Sequence, residues 1–257
     1  MANFLQLNDN SKFDVEEQSL ANYFGEGNYT PFYRKHLIQG KLKITKDDFI
    51  AGDIPSMFAA MKQLGIKYTY NDYPNSLRKH LHRKIWSSTM KNVRQILYND
   101  LNGEFEFGLN WFIKPKDKLK RFTGFVCTSI DDLQYCKGAG NNVKLWCSEP
   151  VRFLSEWRCP VINGDVKGIY PAPGSEKELL KYNARLILLD TVKTWVKDFK
   201  KCPKAYCLDV GILSNGTPAL IEVNDGFSVG KYGMPDEVYA ELLITRWNEL
   251  KSLSKPH

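Results

Sequence analysis

A hairpin near the carboxyl end of the sequence constrains the fold more than any other feature. Two apolar segments, A-Y-C-L-D-V-G-I-L and A-L-I-E-V-N-D, flank the turn S-N-G-T, as two antiparallel strands would. Successive side chains of a strand point to opposite faces, so Glu222 and Asn224 share one face. Asp209 lies on the partner strand, and ionised groups among so many apolar neighbours need a partner. The hairpin therefore predicts a buried sheet with two carboxylates and a carboxamide on one face.

These three side chains are candidate metal ligands. Mg²⁺ prefers hard oxygen donors and takes one or two carboxylates together with water and substrate phosphates. An ordinary hairpin with a polar exposed face is the alternative. The apolar neighbours, such as Leu208 and Val223, favour the metal, and we interpret Asp209, Glu222 and Asn224 as an Mg²⁺ site.

Composition places the chain among ordinary globular proteins. It has 257 residues, of which 43% are hydrophobic and 25% charged, which excludes collagen-like and wholly disordered classes. No apolar run approaches the roughly 20 residues of a membrane helix, so no membrane partner is expected. The first ten residues show no secretory signal, and we expect a cytoplasmic protein. The six cysteines form no C-x-x-C pair, which argues against a zinc site or a disulfide framework.

The pattern before residue 86 predicts a small α/β domain, residues 1–85. Residues 1–45 indicate only an irregular or strand-containing segment. The stretch from D-D-F-I-A-G to I-K-Y-T-Y reads as strand, helix ending at Gly65, and strand over 66–70, which is typical of a parallel sheet.

Residues 86–257 form the second predicted domain, with lobes of about 86–150 and 151–257. The first lobe is expected to contain a helix over 87–97 and three antiparallel strands. In the second, Asn163-Gly164 predicts a hairpin turn. A long helix should follow a capping box of Ser175 and Glu178, and a last helix should cover 235–253.

A lysine-rich strand and loop, W-F-I-K-P-K-D-K-L-K-R-F-T-G-F, supplies candidate phosphate ligands. Lys114 lies on the strand, and Lys118 and Lys120 lie in the loop that Thr123-Gly124 ends. Positive charge held in this way suits the phosphates of a nucleotide. Neither the Walker nor the Rossmann glycine motif occurs, so those mechanisms lack their anchors. The net charge of +7 permits a nucleic-acid partner without requiring one.

The segment S-E-P-V-R-F-L-S-E-W-R joins the two lobes. Residues 148–151 are a candidate hinge, and Arg158 is a candidate phosphate clamp because guanidinium groups bind phosphate oxygens in pairs. A second basic run, Arg78 to Lys84, is interpreted as a solvated face.

Taken in order, these motifs resemble the ATP-grasp superfamily. The order is a strand lysine, a basic loop, a hinge with Glu, S-E-W-R, a helix, then Asp and I-E-V-N-D-G-F-S-V-G-K-Y-G. The residues of these motifs are most similar to those of the small Arg-and-two-Lys clade, whose members occur in bacteria and phages. The resemblance implies an α/β (α+β) fold of two α+β lobes that hold a nucleotide between them, preceded by a small α/β domain.

The resemblance also implies roles for particular residues. Lys114 would bind the α- and β-phosphates of ATP, and Lys120, or Lys118 in the same loop, would be the second lysine. Arg158 would hold the γ-phosphate. Main-chain groups of Ser148, Glu149, Pro150 and Val151 would meet adenine, and Glu156 would bind the ribose. Asp209, Glu222 and Asn224 would hold Mg²⁺.

The activity that follows is ATP-dependent ligation of a carboxylate to an amine through an acyl-phosphate, with release of ADP and phosphate. The acceptor could be an amino acid, a peptide, a protein or a nucleic acid. Two alternatives remain open. One is a module that keeps the fold without activity, and the other is a nucleic-acid-modifying nucleotidyltransferase, against which the absence of K-x-D-G counts.

Overall fold

The structure, a computed structural model, describes residues 2–69, 71–101, 109–117, 121–175 and 184–253. The chain divides into two compact units: the first joins Met1–His80 to Phe153–His257, and the second is Leu81–Arg152. The division into a separate domain of residues 1–85 and an ATP-grasp domain of residues 86–257 stays a prediction.

A parallel sheet opens the first unit. Strands β1 (Asn3–Leu7), β2 (Thr30–Tyr33) and β3 (Phe49–Ala51) lie in the order β2-β1-β3, and both pairings are parallel. Helices α1 (Val15–Phe24), α2 (Arg34–Ile38) and α3 (Ile54–Gln63) connect or follow these strands.

Helix α3 begins and ends where its sequence dictates. The Asp53 carboxylate accepts a hydrogen bond from the Ser56 backbone N–H at 2.9 Å, which satisfies a donor that the first turn leaves without a helical partner. Gly65 adopts a φ of +67°, the left-handed conformation that ends many helices and that glycine adopts without strain. The predicted helix and its end at Gly65 are confirmed.

The strand predicted over 66–70 is wrong for its described part, because residues 66–69 form no strand and Tyr70 lies outside the described residues. The physical reason is the side chain of Tyr68. Its hydroxyl donates to Asp225 at 3.0 Å, and its ring packs edge-on against Phe227 with the centroids 5.1 Å apart. These contacts tie the segment to the carboxyl-terminal hairpin.

The second unit is built on an antiparallel sheet in the order β4-β7-β5-β6. Its elements are β4 (Ile85–Thr89), α4 (Met90–Leu101), β5 (Trp111–Pro115), β6 (Phe125–Cys127), a 3₁₀ helix (Ile130–Cys136) and β7 (Lys144–Ser148). The antiparallel pairing is confirmed. The predicted start of the helix at Ser87 is wrong, because residues up to Thr89 pair with β7.

The second sheet of the first unit carries the carboxyl-terminal hairpin. Its strands are β8 (Phe153–Ile162), β9 (Asp165–Val166), β10 (Tyr170–Pro171), β11 (Ala205–Leu213) and β12 (Pro218–Asp225). Their order is β10-β8-β11-β12, with β9 paired to β8. Asn163 and Gly164 have φ values of +52° and +87°, which confirms the predicted hairpin turn.

Helices α5 (Ala184–Asp198) and α6 (Asp236–Ser252) complete the first unit, together with a 3₁₀ helix (Asn75–His80). The prediction for α6 is confirmed to within a residue at each end. Glu178 lies outside the described residues, so the predicted capping box with Ser175 does too. Within the described residues, no helix is long and apolar enough to cross a membrane.

One hydrophobic cluster joins the two segments of the first unit. Leu5 and Ile50 from the parallel sheet pack in one cluster with Phe227, Trp247 and Leu250 from the carboxyl-terminal part. The indole N–H of Trp247 donates to the Asp48 carbonyl at 3.0 Å. Helix α6 therefore fastens the parallel sheet to the second sheet.

The end of helix α6 offers a matched test of this core. Leu250 is 1% exposed and Leu253 is 59% exposed. Leu250→Ala should lower the free energy of unfolding by about 2–5 kcal/mol, because it removes buried methyl groups and leaves a cavity. Leu253→Ala should change it by less than about 0.5 kcal/mol. Urea denaturation measures both, and equal effects of the two substitutions would contradict the assigned packing.

Candidate active site

The strand register brings the predicted site residues of the first unit onto one face of the second sheet. Arg158 on β8 pairs with Asp209 on β11, and Asp209 pairs in turn with Glu222 on β12. Asn224 follows Glu222 by two residues and so shares its face. Glu156 precedes Arg158 by two residues and lies opposite Gly211.

A bidentate ion pair joins Arg158 to Asp209. The guanidinium Nε donates to Oδ1 at 2.8 Å and Nη2 donates to Oδ2 at 2.7 Å. The two residues are 6% and 8% exposed, so each depends on the other for the charge compensation that water gives elsewhere. Two parallel hydrogen bonds also fix the orientation of the guanidinium plane.

The amide of Asn224 links the two carboxylates. Its Nδ2 donates to Asp209 Oδ2 at 2.8 Å and to Glu222 Oε1 at 3.1 Å. Rotation of the amide by half a turn would present its carbonyl oxygen at the same place, because the two ends of the group have nearly the same shape. The predicted convergence of Asp209, Glu222 and Asn224 on one face is therefore what the structure shows.

The donor set fits a hard divalent cation. Two carboxylates and an amide oxygen are ligands that Mg²⁺ accepts, and its remaining positions usually hold water or substrate phosphates. Across the described ranges, no group of three His, Cys, Asp or Glu side chains could hold a metal by itself. The metal-binding role of Asp209, Glu222 and Asn224 stays a prediction.

A loop after β12 holds Arg158 from its other side. The Gly230 carbonyl accepts a hydrogen bond from Arg158 Nη1 at 2.9 Å, and the ring of Tyr232 lies 3.9 Å from the guanidinium carbon. Tyr232 has a φ of +49°, a backbone conformation that residues other than glycine adopt at some cost in free energy. No role for Tyr232 is predicted from the sequence, although it lies in the quoted G-K-Y-G, because a ring stacked on an arginine leaves no spacing pattern.

Burial and charge shift the titration of this cluster. Burial alone would lower the pKa of Arg158, but the charge and hydrogen bonds of Asp209 more than offset it, so its pKa is raised. Arg158 is cationic at every working pH. Removal of water raises the pKa of Glu156, and the negative charges of Asp209 and Glu222 raise it further.

The second unit contains the residues of the first lobe that are predicted to bind the nucleotide. Lys114 lies on β5 opposite Trp146 of β7. Ser148 ends β7 and is buried, and its hydroxyl donates to the Glu149 carbonyl at 3.1 Å. The Glu149 carboxylate accepts from the Lys84 backbone N–H at 2.9 Å.

Pro150 and Val151 are exposed and lie in the connection between β7 and β8. The loop residues Lys118 and Lys120 lie outside the described residues. The roles proposed for Lys114, Lys118, Lys120 and residues 148–151 stay predictions.

Comparison with known proteins identifies the family. The family model of an ATP-grasp domain, R-2-K clade family 2, matches residues 80–242. The chain belongs to this ATP-grasp family. No curated protein matches the sequence significantly.

Solved structures confirm the ATP-grasp fold. The D-alanine–D-alanine ligase of Bacillus anthracis, solved with ATP, is similar with a TM-score of 0.54 at 14% identity, over 98% of each chain. The D-alanine–D-alanine ligase of Coxiella burnetii gives 0.53 at 11% identity, over 98% of this chain and 96% of the other. A D-cycloserine synthetase gives 0.50 at 9% identity, over 97% and 100%. The mixed α/β content and several sheets of this ATP-grasp protein match that fold.

A double-mutant cycle tests the ion pair. Arg158→Met and Asp209→Leu should each lower the free energy of unfolding by about 3–5 kcal/mol, because each leaves a buried charge without its partner. The double variant should recover most of that loss, since it buries no charge at this place. Urea denaturation of the four proteins gives the coupling energy.

The control for the cycle is Lys193→Met, which removes the exposed pair between Lys193 and Asp190, 3.6 Å apart. It should change the free energy of unfolding by less than about 1 kcal/mol. Additive single effects of Arg158→Met and Asp209→Leu would contradict the buried pair.

Proposed function

We propose that this ATP-grasp protein is an ATP-dependent ligase that joins a carboxylate to an amine through an acyl-phosphate and releases ADP and phosphate. The observation that carries the proposal is the cluster of Arg158, Asp209, Glu222 and Asn224 on one sheet face. It combines a fixed guanidinium with oxygen donors for a cation. Two of the similar structures are D-alanine–D-alanine ligases, one of them solved with ATP, which supports ligase chemistry.

The acyl-phosphate makes the carboxylate reactive toward an amine. A carboxylate is a poor electrophile at neutral pH. In the first step, one of its oxygens attacks the γ-phosphorus of ATP, the bond from that phosphorus to the bridging oxygen breaks, and ADP leaves. In the second step, the amine nitrogen attacks the acyl carbon, the bond to the phosphate oxygen breaks, and the nitrogen gives its proton to solvent. The protein contributes positioning and electrostatic stabilisation.

Arg158 is proposed to hold the transferring phosphoryl group. The guanidinium keeps two N–H groups beyond the three that bind Asp209 and Gly230. A guanidinium already fixed by its neighbours loses little entropy when it binds a further anion. Tyr232 covers one face of the guanidinium and is proposed to restrict its motion.

Asp209, Glu222 and Asn224 are proposed to hold Mg²⁺. The cation supplies charge neutralisation to the phosphate oxygens when it is bound. The chain's own contribution is the arrangement of these three side chains, which the strand pairing sets before any ligand arrives.

The remaining roles follow the family resemblance. We assign Arg158, Lys114 and Lys120 as the arginine and the two lysines of the clade, with Lys118 as the alternative second lysine. Residues 148–151 are assigned to adenine and Glu156 to the ribose. The Ser175 hydroxyl accepts from the Glu156 backbone N–H at 3.2 Å, which holds the strand at that point.

The reaction itself can be tested by a condensation screen. The protein, ATP and Mg²⁺ are incubated with mixtures of amino acids and polyamines, and mass spectrometry records new products and the nucleotide released. We expect ADP and phosphate in amounts equal to the condensed product. AMP and pyrophosphate as the main products would contradict γ-phosphoryl transfer.

Two substitutions separate binding from catalysis. Lys114→Ala should weaken ATP binding, measured by calorimetry, because its charge acts on the bound nucleotide in the ground state. Arg158→Lys should keep most of the ATP affinity and lower turnover by ~100-fold or more, because a point charge cannot reproduce the planar fork. Near wild-type turnover in Arg158→Lys would contradict the clamp.

Tyr232 provides a further measurement on the same site. Tyr232→Phe keeps the ring and should retain turnover within about threefold, whereas Tyr232→Leu removes the cation–π contact, a contribution of about 0.5–2 kcal/mol, and should lower kcat about 2- to 30-fold with little change in KM for ATP. Equal effects of the two variants on kcat would contradict the positioning role.

A further inference from the structure

A basic surface lies on the first unit. It consists of exposed cations from the 3₁₀ helix Asn75–His80, from α5 and from the loop that follows α5. Its members are Arg78, Lys79, Lys193, Lys197, Lys200, Lys201 and Lys204.

Three contacts bring the two segments of this basic surface together. Lys79 forms an ion pair with Asp198 at 2.9 Å, and the ring of His80 stacks on Trp195 with the centroids 4.7 Å apart. The Lys200 backbone N–H donates to the Ser76 hydroxyl at 3.3 Å. Two basic runs that are far apart in the sequence therefore form one surface.

The charges of this surface exceed what the fold needs. Asp198 pairs with Lys79, and Asp190 pairs with Lys193. In the part of the chain that the structure describes, Lys197, Lys200, Lys201 and Lys204 form no ion pair. The carboxyl end of α5 carries a dipole equivalent to about half a negative charge, which accounts for one of these lysines at most. The excess points to a polyanionic partner.

A cavity of about 430 Å³ opens within the basic surface. Its walls include the apolar residues Pro74, Phe199 and Pro203, and its polar groups include Asn71, Asn75 and Ser76. Lys200 and Lys201 also line it. Its size lies within the roughly 300–1,000 Å³ of small-ligand sites.

The cavity lies behind the sheet face that carries Arg158. Tyr206 and Val223 line it, and each is the immediate neighbour of a residue that points to the other face, Cys207 or Asn224. Tyr206 is fully buried, and its hydroxyl makes no hydrogen bond among the described residues. Burial raises the pKa of Tyr206.

We propose that the basic surface binds single-stranded nucleic acid and that the cavity accepts one unpaired base. A base has flat apolar faces and a polar edge, which the apolar walls and the amides of Asn71 and Asn75 match. Phosphates on either side of that base would meet the lysines. The carboxylates of an acidic peptide would use the same lysines but would not match the apolar walls of the cavity.

The binding test uses the full chain without ATP, so its outcome is independent of the ligase proposal. Fluorescence anisotropy measures the affinity for labelled oligo(U) and oligo(dT) of equal length, about 12 nucleotides, over a series of salt concentrations. We expect binding that weakens as salt rises, because counterions are released from each phosphate contacted. A preference for oligo(U) would indicate RNA, and a preference for oligo(dT) would indicate DNA.

Matched variants test the surface. Lys197→Gln/Lys200→Gln/Lys201→Gln should weaken binding at least tenfold at low salt and reduce the salt slope by about two, since each contact contributes about 0.7 for single strands. Lys41→Gln/Lys43→Gln/Lys46→Gln makes the same change of net charge in another exposed segment and should change the affinity less than twofold. All six lysines are exposed, so neither variant should unfold the protein.

A third variant tests the cavity. Phe199→Leu should weaken binding about fivefold or more through lost stacking and leave the salt slope unchanged. Asn75→Ala, at an exposed position, removes a polar contact to the edge of the base and should also weaken binding, so it tests the cavity if Phe199→Leu fails to fold.

The proposal would be overturned if the protein at micromolar concentration bound no oligonucleotide in low salt, or if the two lysine variants lost equal affinity. It would also be overturned if poly-L-glutamate bound as tightly as the oligonucleotides while Phe199→Leu and Asn75→Ala both had no effect. The last result would assign the surface to an acidic protein.

Discussion

The buried pair of Arg158 and Asp209 is the interaction on which the candidate active site depends. The two charged residues are only 6% and 8% exposed. Their burial is tolerated because two short hydrogen bonds join them. A pair of this kind gives little net stability, yet losing either partner is costly. It therefore fixes the positions of both groups relative to the sheet, and Asn224 and Glu222 are arranged around the same carboxylate.

The loop after β12 complements the pair. Gly230 and Tyr232 contact the side of the guanidinium that Asp209 leaves open. The same loop is fastened to α1, because the Lys231 backbone N–H donates to the Glu16 carboxylate at 3.2 Å. The orientation of Arg158 thus depends on residues from β8, β11 and the loop, and through the loop on the amino-terminal segment.

Local sequence patterns predicted the features that depend only on neighbouring residues. Alternation along a strand placed Glu222 and Asn224 on one face, and the hairpin turn at Asn163-Gly164 and the end of α3 at Gly65 followed from backbone preferences. The pairing of Arg158 with Asp209 could not be derived in this way, because it depends on the register between strands that are 51 residues apart. The segment 66–69 was assigned as a strand from its β-branched and aromatic residues, but the long-range contacts of Tyr68 with Asp225 and Phe227 prevailed.

Asp209, Glu222 and Asn224 are proposed to hold the cation that accompanies ATP. Electron paramagnetic resonance of Mn²⁺, a spectroscopic substitute for Mg²⁺, tests it most directly in the presence of a non-hydrolysable ATP analogue. The account predicts a protein-bound Mn²⁺ signal that requires the analogue, and an affinity for Mn²⁺ at least tenfold lower in Glu222→Gln. An Mn²⁺ affinity that is the same in Glu222→Gln and in the wild type would contradict it.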